Sequence, residues 1–202
     1  DDEAVESLAR RLRRVRWLLP GRNPERVARH LLMAGETPAT RFLGLLDRVG
    51  LDDNLFDLAD RLRRLRGLHG PLNLRPLDGV GDLLRELNRR YHLAIVTTRS
   101  HRDAQAFLIQ QELVDFVQVI TGREDTWRLK PHPSPVRHTA EQLGVDVERC
   151  LMVGDTTVDM AAARSAGARA VGVLCGFGYE DELERAGADL VLKTTNELLD
   201  WM

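Results

Sequence analysis

Lysine is nearly absent from this chain. Of its 29 basic residues only Lys130 and Lys193 are lysine, and the remainder are arginine. Genomic base composition accounts for such a bias, and it makes a lysine inside a motif conspicuous. Cysteine is equally sparse: Cys150 and Cys175 stand alone in apolar stretches, which excludes a disulfide framework or a cysteine-built metal site and points to a reducing compartment. No apolar run approaches the ~20 residues that a membrane span needs. Excess positive charge is missing too. The net charge of −2 argues against broad nucleic-acid binding, which uses a strongly basic face. An acidic cluster, Asp1-Asp2-Glu3, stands where the apolar part of a secretory leader would lie, and the resulting expectation is a cytoplasmic protein. An initiator Met is also lacking. Its removal requires a small second residue, which Asp1 is not, so the sequence reads as a piece of a longer protein.

What is present fits a globular protein: 43% hydrophobic and 30% charged residues. A length of 202 residues suits one large domain, or a core with a smaller companion. Residues 1–70 show no strand pattern. Apolar residues recur there at helical spacing, as in Val5, Leu8, Leu12, Val15 and Leu19, or Leu55, Leu58, Leu62 and Leu65. Pro24 and Pro38 fall near segment starts, and Gly21, Gly35 and Gly50 near ends. This predicts a bundle of about four helices. Its arginine clusters, 10–16 and 61–66, fit solvated faces or, in a sharper reading, faces turned to an anionic substrate.

After a Pro- and Gly-containing linker at 69–80 the pattern changes. Predicted helices at 79–90, 101–112, 136–143, 158–166, 181–186 and 196–201 alternate with short apolar strands at 93–97, 116–121, 150–154, 169–174 and 189–192. Such alternation means a parallel sheet covered on both faces. The expected fold class is therefore α/β, with a Rossmann-like core over 71–202 and a separate all-helical domain over 1–70. Ligands of such sheets bind at the carboxyl ends of the strands. The segments to watch are Thr97-Thr98-Arg99-Ser100, Thr121-Gly122-Arg123, Gly154-Asp155-Thr156-Thr157 and Cys175-Gly176-Phe177-Gly178.

Three of these edges, or the loops beside them, carry chemistry. In Leu151-Met152-Val153-Gly154-Asp155-Thr156-Thr157-Val158-Asp159 an apolar strand ends in Gly-Asp and a second Asp follows in the next helix's first turn. Gly154 lets the backbone turn sharply. Mg²⁺ takes one or two carboxylates plus waters and phosphate oxygens, so Asp155 and Asp159 suffice as metal ligands. Thr156-x-x-Asp159 equally fits a helix capping box, which leaves Asp155 unexplained. In Lys130-Pro131-His132-Pro133-Ser134-Pro135 three prolines stiffen the loop around Lys130, which can neutralise a phosphoryl group and a carboxylate together. The alternative is an exposed lysine before a helix capped by Ser134. Thr97 and Thr98 end a buried strand and can donate to phosphate oxygens, or simply bond locally. Ser100-x-x-Asp103 after them is a second capping-box pattern.

Taken in order, strand-Thr, Lys-Pro and Gly-Asp-x-x-x-Asp resemble the haloacid dehalogenase superfamily, and within it the phosphoglycolate-phosphatase-like hydrolases with a helical cap. The resemblance covers nearly the whole chain. It implies a Mg²⁺-dependent phosphatase of a small phosphorylated metabolite, acting through an aspartyl-phosphate. Thr97, with Thr98, would hold the phosphoryl group and Lys130 would stabilise its charge. Asp155 would ligate Mg²⁺, and Asp159 would support metal and lysine. The family's first motif, a strand ending in Asp-x-Asp-Gly-Thr, has no counterpart in the sequence. Asp1-Asp2, Asp52-Asp53 and Asp78-Gly79 lack its context. In the family that strand lies centrally, between those represented here by 93–97 and 150–154. Its absence would leave the flanking pair roughly 10 Å apart. The expectation is that the segment lies upstream of Asp1 or comes from another chain, and that the chain as written is inactive. Two rival readings are a non-catalytic relative used for binding or assembly, and a metal-free haloacid dehalogenase. Oligomeric state cannot be read from the sequence.

Overall fold

The computed structural model describes residues 75–202, within the second of the two units into which the chain divides, Asn73–Met202. The helical domain expected over residues 1–70 lies outside the described residues. The elements in order are α1 (Val80–Leu87), β1 (Ala94–Val96), α2 (His101–Gln110), β2 (Val119–Thr121), α3 (Ser134–Leu143), β3 (Leu151–Gly154), α4 (Thr157–Ala166), β4 (Arg169–Val173), α5 (Glu180–Arg185) and β5 (Leu190–Leu192). This is the α/β alternation expected from the sequence. Short 3₁₀ turns at Val114–Phe116, Val147–Arg149 and Thr195–Asp200 complete it. Two expectations change. The strand foreseen at 116–121 is confined to Val119–Thr121, because its first residue belongs to a 3₁₀ turn. The closing helix is a 3₁₀ segment. No helix among the described residues is long and apolar enough to cross a membrane.

Among the described residues all strand pairs are parallel, but they form two sheets. β1 pairs with β2, from Ala94 opposite Val119 to Val96 opposite Thr121. β3, β4 and β5 form the other, with Leu151 opposite Arg169 and Val171 opposite Leu190. Burial follows the division. In β4, a central strand, every residue after Arg169 is buried. β1 is only half-buried throughout, and Leu151 of β3 is exposed. Central strands of a doubly covered sheet should be the most buried, so β1 and β3 behave as edges.

β4 shows how both faces are covered. Its side chains alternate: Ala170 joins Met160, Ala162, Ala163, Ala166 and Leu183 of α4 and α5 in one cluster. Val171 and Val173 join Leu83, Leu87, Leu192 and Leu198 in the other. Met160 and Leu183 are fully buried. A buried side chain of this size contributes about 1.5–3 kcal/mol relative to exposure. Helix α3 ties β2 to this layer. The Thr121 and Thr139 hydroxyls meet at 2.7 Å, both buried, and Thr139 donates onward to the Pro135 carbonyl at 2.7 Å. Arg137 of α3 donates to the Ser165 and Ala166 carbonyls, groups at the end of α4 that the helix leaves without an internal partner.

Candidate active site

The loop between β2 and α3 delivers Lys130 to the carboxyl edge of the strands. A cis peptide bond joins Lys130 to Pro131, and the His132 amide donates back to the Leu129 carbonyl at 2.9 Å. The predicted Ser134 cap does not form. Pro133 occupies the N-cap and Ser134 is the first helical residue, its amide donating to His132 Nδ1 at 3.2 Å. The imidazole thus does the work expected of the serine hydroxyl.

Lys130 Nζ donates to Asp159 Oδ1 at 2.6 Å and to the Val96 carbonyl at 2.9 Å. The side chains of lysine and aspartate are only 11% and 8% exposed. Val96 ends β1, and Asp159 packs against Gly154 at the end of β3. One ammonium therefore joins the ends of the two sheets. A charge this deep is tolerable only when paired and hydrogen-bonded, and the Val96 carbonyl meets that need along with the carboxylate.

Asp159 is held from its other side as well. Its Oδ2 accepts from the Thr156 hydroxyl at 2.6 Å and from the Thr156 amide at 3.2 Å, while the Asp159 amide donates to Thr156 Oγ1 at 3.3 Å. This is a complete capping box at the start of α4. The capping and site readings of Asp159 coexist, one on each carboxylate oxygen. Gly154 also has a different reason from the one expected. It lies in β3 outside the positive-φ glycines, and a Cβ there would sit 2.7 Å from Asp159 Cγ. Close approach, not a sharp turn, requires the glycine.

Asp155 turns elsewhere. Its Oδ2 accepts from the Phe177 amide at 2.9 Å and its main-chain carbonyl from the Gly178 amide at 2.8 Å. No hydrogen bond joins it to Lys130 or Asp159. The expected carboxylate pair therefore has two separate anchorages. Thr97 immediately follows Val96. Its amide donates to the Thr121 carbonyl at 2.9 Å, and its Oγ1 accepts from the Arg99 amide at 3.1 Å. A hydroxyl that accepts through oxygen keeps its proton to donate. Thr98 is exposed. Ser100 caps α2 by accepting from the Asp103 amide at 3.1 Å. The loops after β1 and β2 are knitted together. The Arg123 amide donates to the Arg99 carbonyl at 2.9 Å, the His101 amide to Glu124 Oε1 at 2.8 Å, and His101 Nδ1 lies 3.2 Å from Asp125 Oδ2.

Two contributors escaped sequence reasoning: the Val96 carbonyl and the Phe177 amide. Both are main-chain groups without a residue signature. The two glycines flanking Phe177 were the available hint.

The family model of the haloacid dehalogenase-like hydrolases matches residues 44–173. The chain belongs to the haloacid dehalogenase-like hydrolase family. Among its relatives in that family, a phosphoglycolate phosphatase of Neisseria meningitidis is 42% identical over 86 residues, 43% of this chain and 37% of the relative. That of Escherichia coli K12 is 30% identical over 121 residues, 59% of this chain and 48% of the relative. The matched stretch thus spans less than half the length of these relatives. Among solved structures, a predicted phosphoglycolate phosphatase from Haemophilus somnus is 26% identical, with a TM-score of 0.60 over 65% of this chain and 59% of its own. The haloacid dehalogenase-like fold assigned from the strand-end motifs agrees with these likenesses.

Proposed function

We propose that the natural protein is a cytoplasmic, Mg²⁺-dependent phosphatase of a small phosphorylated metabolite. The observation that carries the reading is the buried Lys130, bonded to Asp159 and the Val96 carbonyl at a strand edge that also presents Thr97 and Asp155. Paired lysine is held still, so its charge is pre-organised toward an incoming phosphoryl group and needs little rearrangement as charge shifts. Thr97 donates its remaining hydroxyl proton to a phosphoryl oxygen, assisted by Thr98. Asp159 has both oxygens engaged and serves to fix Lys130. The relatives named phosphoglycolate phosphatase support a small organic phosphate as substrate.

The donor set fits Mg²⁺. Asp155 offers a carboxylate at the end of β3, and this ion commonly takes one or two carboxylates, filling its remaining positions with water and phosphate oxygens. Among the described residues, no three or more His, Cys, Asp or Glu side chains are grouped so as to hold a metal ion. When bound, the ion supplies positive charge against the phosphate oxygens.

An aspartyl-phosphate route needs an attacking carboxylate. Asp159 is engaged on both oxygens, and Asp155 is turned to the loop after β4. By the family resemblance, the nucleophile in this proposal comes from residues outside 75–202, on a strand between β1 and β3. A helical cap over 1–70 would exclude water and choose the substrate.

The test is hydrolysis of a generic phosphate ester by the natural protein and its Asp155→Asn variant, with and without Mg²⁺. Wild-type hydrolysis that requires Mg²⁺ and is lost in the variant is expected. Equal rates with and without the ion would refute the metal role, and halide release from a haloacid without metal would favour a dehalogenase.

A further inference from the structure

Asp155 is gripped twice by one stretch of chain, the loop that follows β4. The Phe177 amide holds its carboxylate at 2.9 Å and the Gly178 amide holds its main-chain carbonyl at 2.8 Å. Both glycines around Phe177 are required by space. A Cβ on Gly176 would overlap the Asp155 carboxylate. One on Gly178 would lie 2.6 Å from the Asp155 carbonyl oxygen and 2.8 Å from Leu183 Cδ2. Neither belongs to the positive-φ glycines, so contact alone excludes a side chain there. Leu183 is fully buried and also packs on Gly172 of β4, where a Cβ would lie 2.9 Å from its Cδ1. The core thus fixes the loop, and the loop fixes the aspartate.

A strand-end aspartate pointing toward solvent samples several rotamers, each aiming its oxygens differently. An amide at 2.9 Å selects one. The geometry points to Gly176, Phe177 and Gly178 as positioning residues: a main-chain clamp that sets the Asp155 carboxylate in the orientation in which it takes a divalent cation. This rests on the proposed reading of Asp155 as cation ligand. Phe177 contributes through its N–H, and its side chain, 37% exposed, is dispensable to the clamp. Partners that orient a metal ligand typically govern about 10–100-fold of metal affinity, and the clamp falls in that class.

The experiment is calorimetric titration of Mg²⁺ into the natural protein and three variants: Gly176→Ala, Phe177→Ala and Asp155→Asn. Melting of the metal-free proteins and affinity for inorganic phosphate without metal are measured alongside. Gly176→Ala, whose new methyl displaces the carboxylate, is expected to raise the Mg²⁺ dissociation constant about tenfold or more. Its metal-free melting should stay cooperative and its phosphate affinity unchanged. Phe177→Ala keeps the amide and should bind Mg²⁺ as wild type does. If Gly176→Ala fails to fold, an amide-to-ester replacement at position 177, made by ligating a synthetic carboxyl-terminal segment, deletes the N–H donor while adding no side-chain atom and carries the same expectation. Unchanged Mg²⁺ affinity in the clamp variant, with binding lost in Asp155→Asn, would overturn the clamp and leave the ligand assignment standing. Wild-type affinity in Asp155→Asn as well would overturn both.

Discussion

Replacing Lys130 by Met removes a group that joins the end of β1 to the residues packed on the end of β3. The substitution keeps much of the apolar stem and deletes the ammonium, leaving the Asp159 carboxylate, 8% exposed, without its counter-charge and the Val96 carbonyl without its donor. Removing one member of a buried pair typically costs about 3–5 kcal/mol, because the surviving charge stays desolvated. For a protein of this size each kcal/mol lowers the melting temperature by about 2–4 °C, so the expected drop is roughly 6–20 °C. Far-UV circular dichroism is the suitable probe, since Trp127 and Trp201 are 92% and 67% exposed and report poorly on the core. The double variant Lys130→Met, Asp159→Asn separates charge from packing. Neutralising the stranded carboxylate should make it more stable than Lys130→Met alone, although it carries one more change. A loss below about 1 kcal/mol, the level of an exposed pair, or a double variant weaker than the single one, would refute the account of Lys130 as a buried, pre-organised charge.

Further outcomes follow from neighbouring contacts. Gly154→Ala drives a methyl into Asp159 and should cost about 1–3 kcal/mol as overpacking, read by urea denaturation. Met160→Ala opens a void in the cluster between the β3-β4-β5 sheet and α4, with an expected loss of about 2–5 kcal/mol by the same assay. Burial, reinforced by the negative charge of Asp146, pushes the Cys150 thiol above its ordinary value. The folded state then favours the protonated form, so this contribution is complete below the unfolded thiol's value and erodes as pH rises toward the folded one. Alkylation of Cys150 at pH 8, followed by peptide mass spectrometry, should be slower in the folded protein than in the urea-unfolded chain.

The parts of the fold that depend on side-chain pattern were legible. Apolar runs ending in Thr97 and Gly154 marked β1 and β3 within a residue or two, and Thr156-x-x-Asp159 announced the start of α4. The meeting of Lys130 with Asp159 was implied by the family resemblance, in which Asp159 supports the lysine. What stayed hidden involves the main chain or competition between neighbours. The Val96 carbonyl and the Phe177 amide carry no residue code, so neither the lysine's second bond nor the grip on Asp155 could be foreseen. Ser134 looked like a cap, yet His132, two residues earlier, takes its amide and the helix starts one residue sooner. Gly154 was legible as a needed glycine, but its reason depends on a side chain five positions away that comes to rest on it. Among the described residues, β1 and β3 belong to separate sheets.

A crystal structure of the natural protein with Mg²⁺ and a phosphate-mimicking oxyanion such as tungstate tests the central claim most directly. The account predicts an Asp155 oxygen about 2.0–2.1 Å from the metal. The oxyanion should lie within hydrogen-bond reach of both Lys130 Nζ and Thr97 Oγ1, with Asp159 still bonded to the lysine. An oxyanion bound away from this edge, or a metal ligated without Asp155, would contradict it.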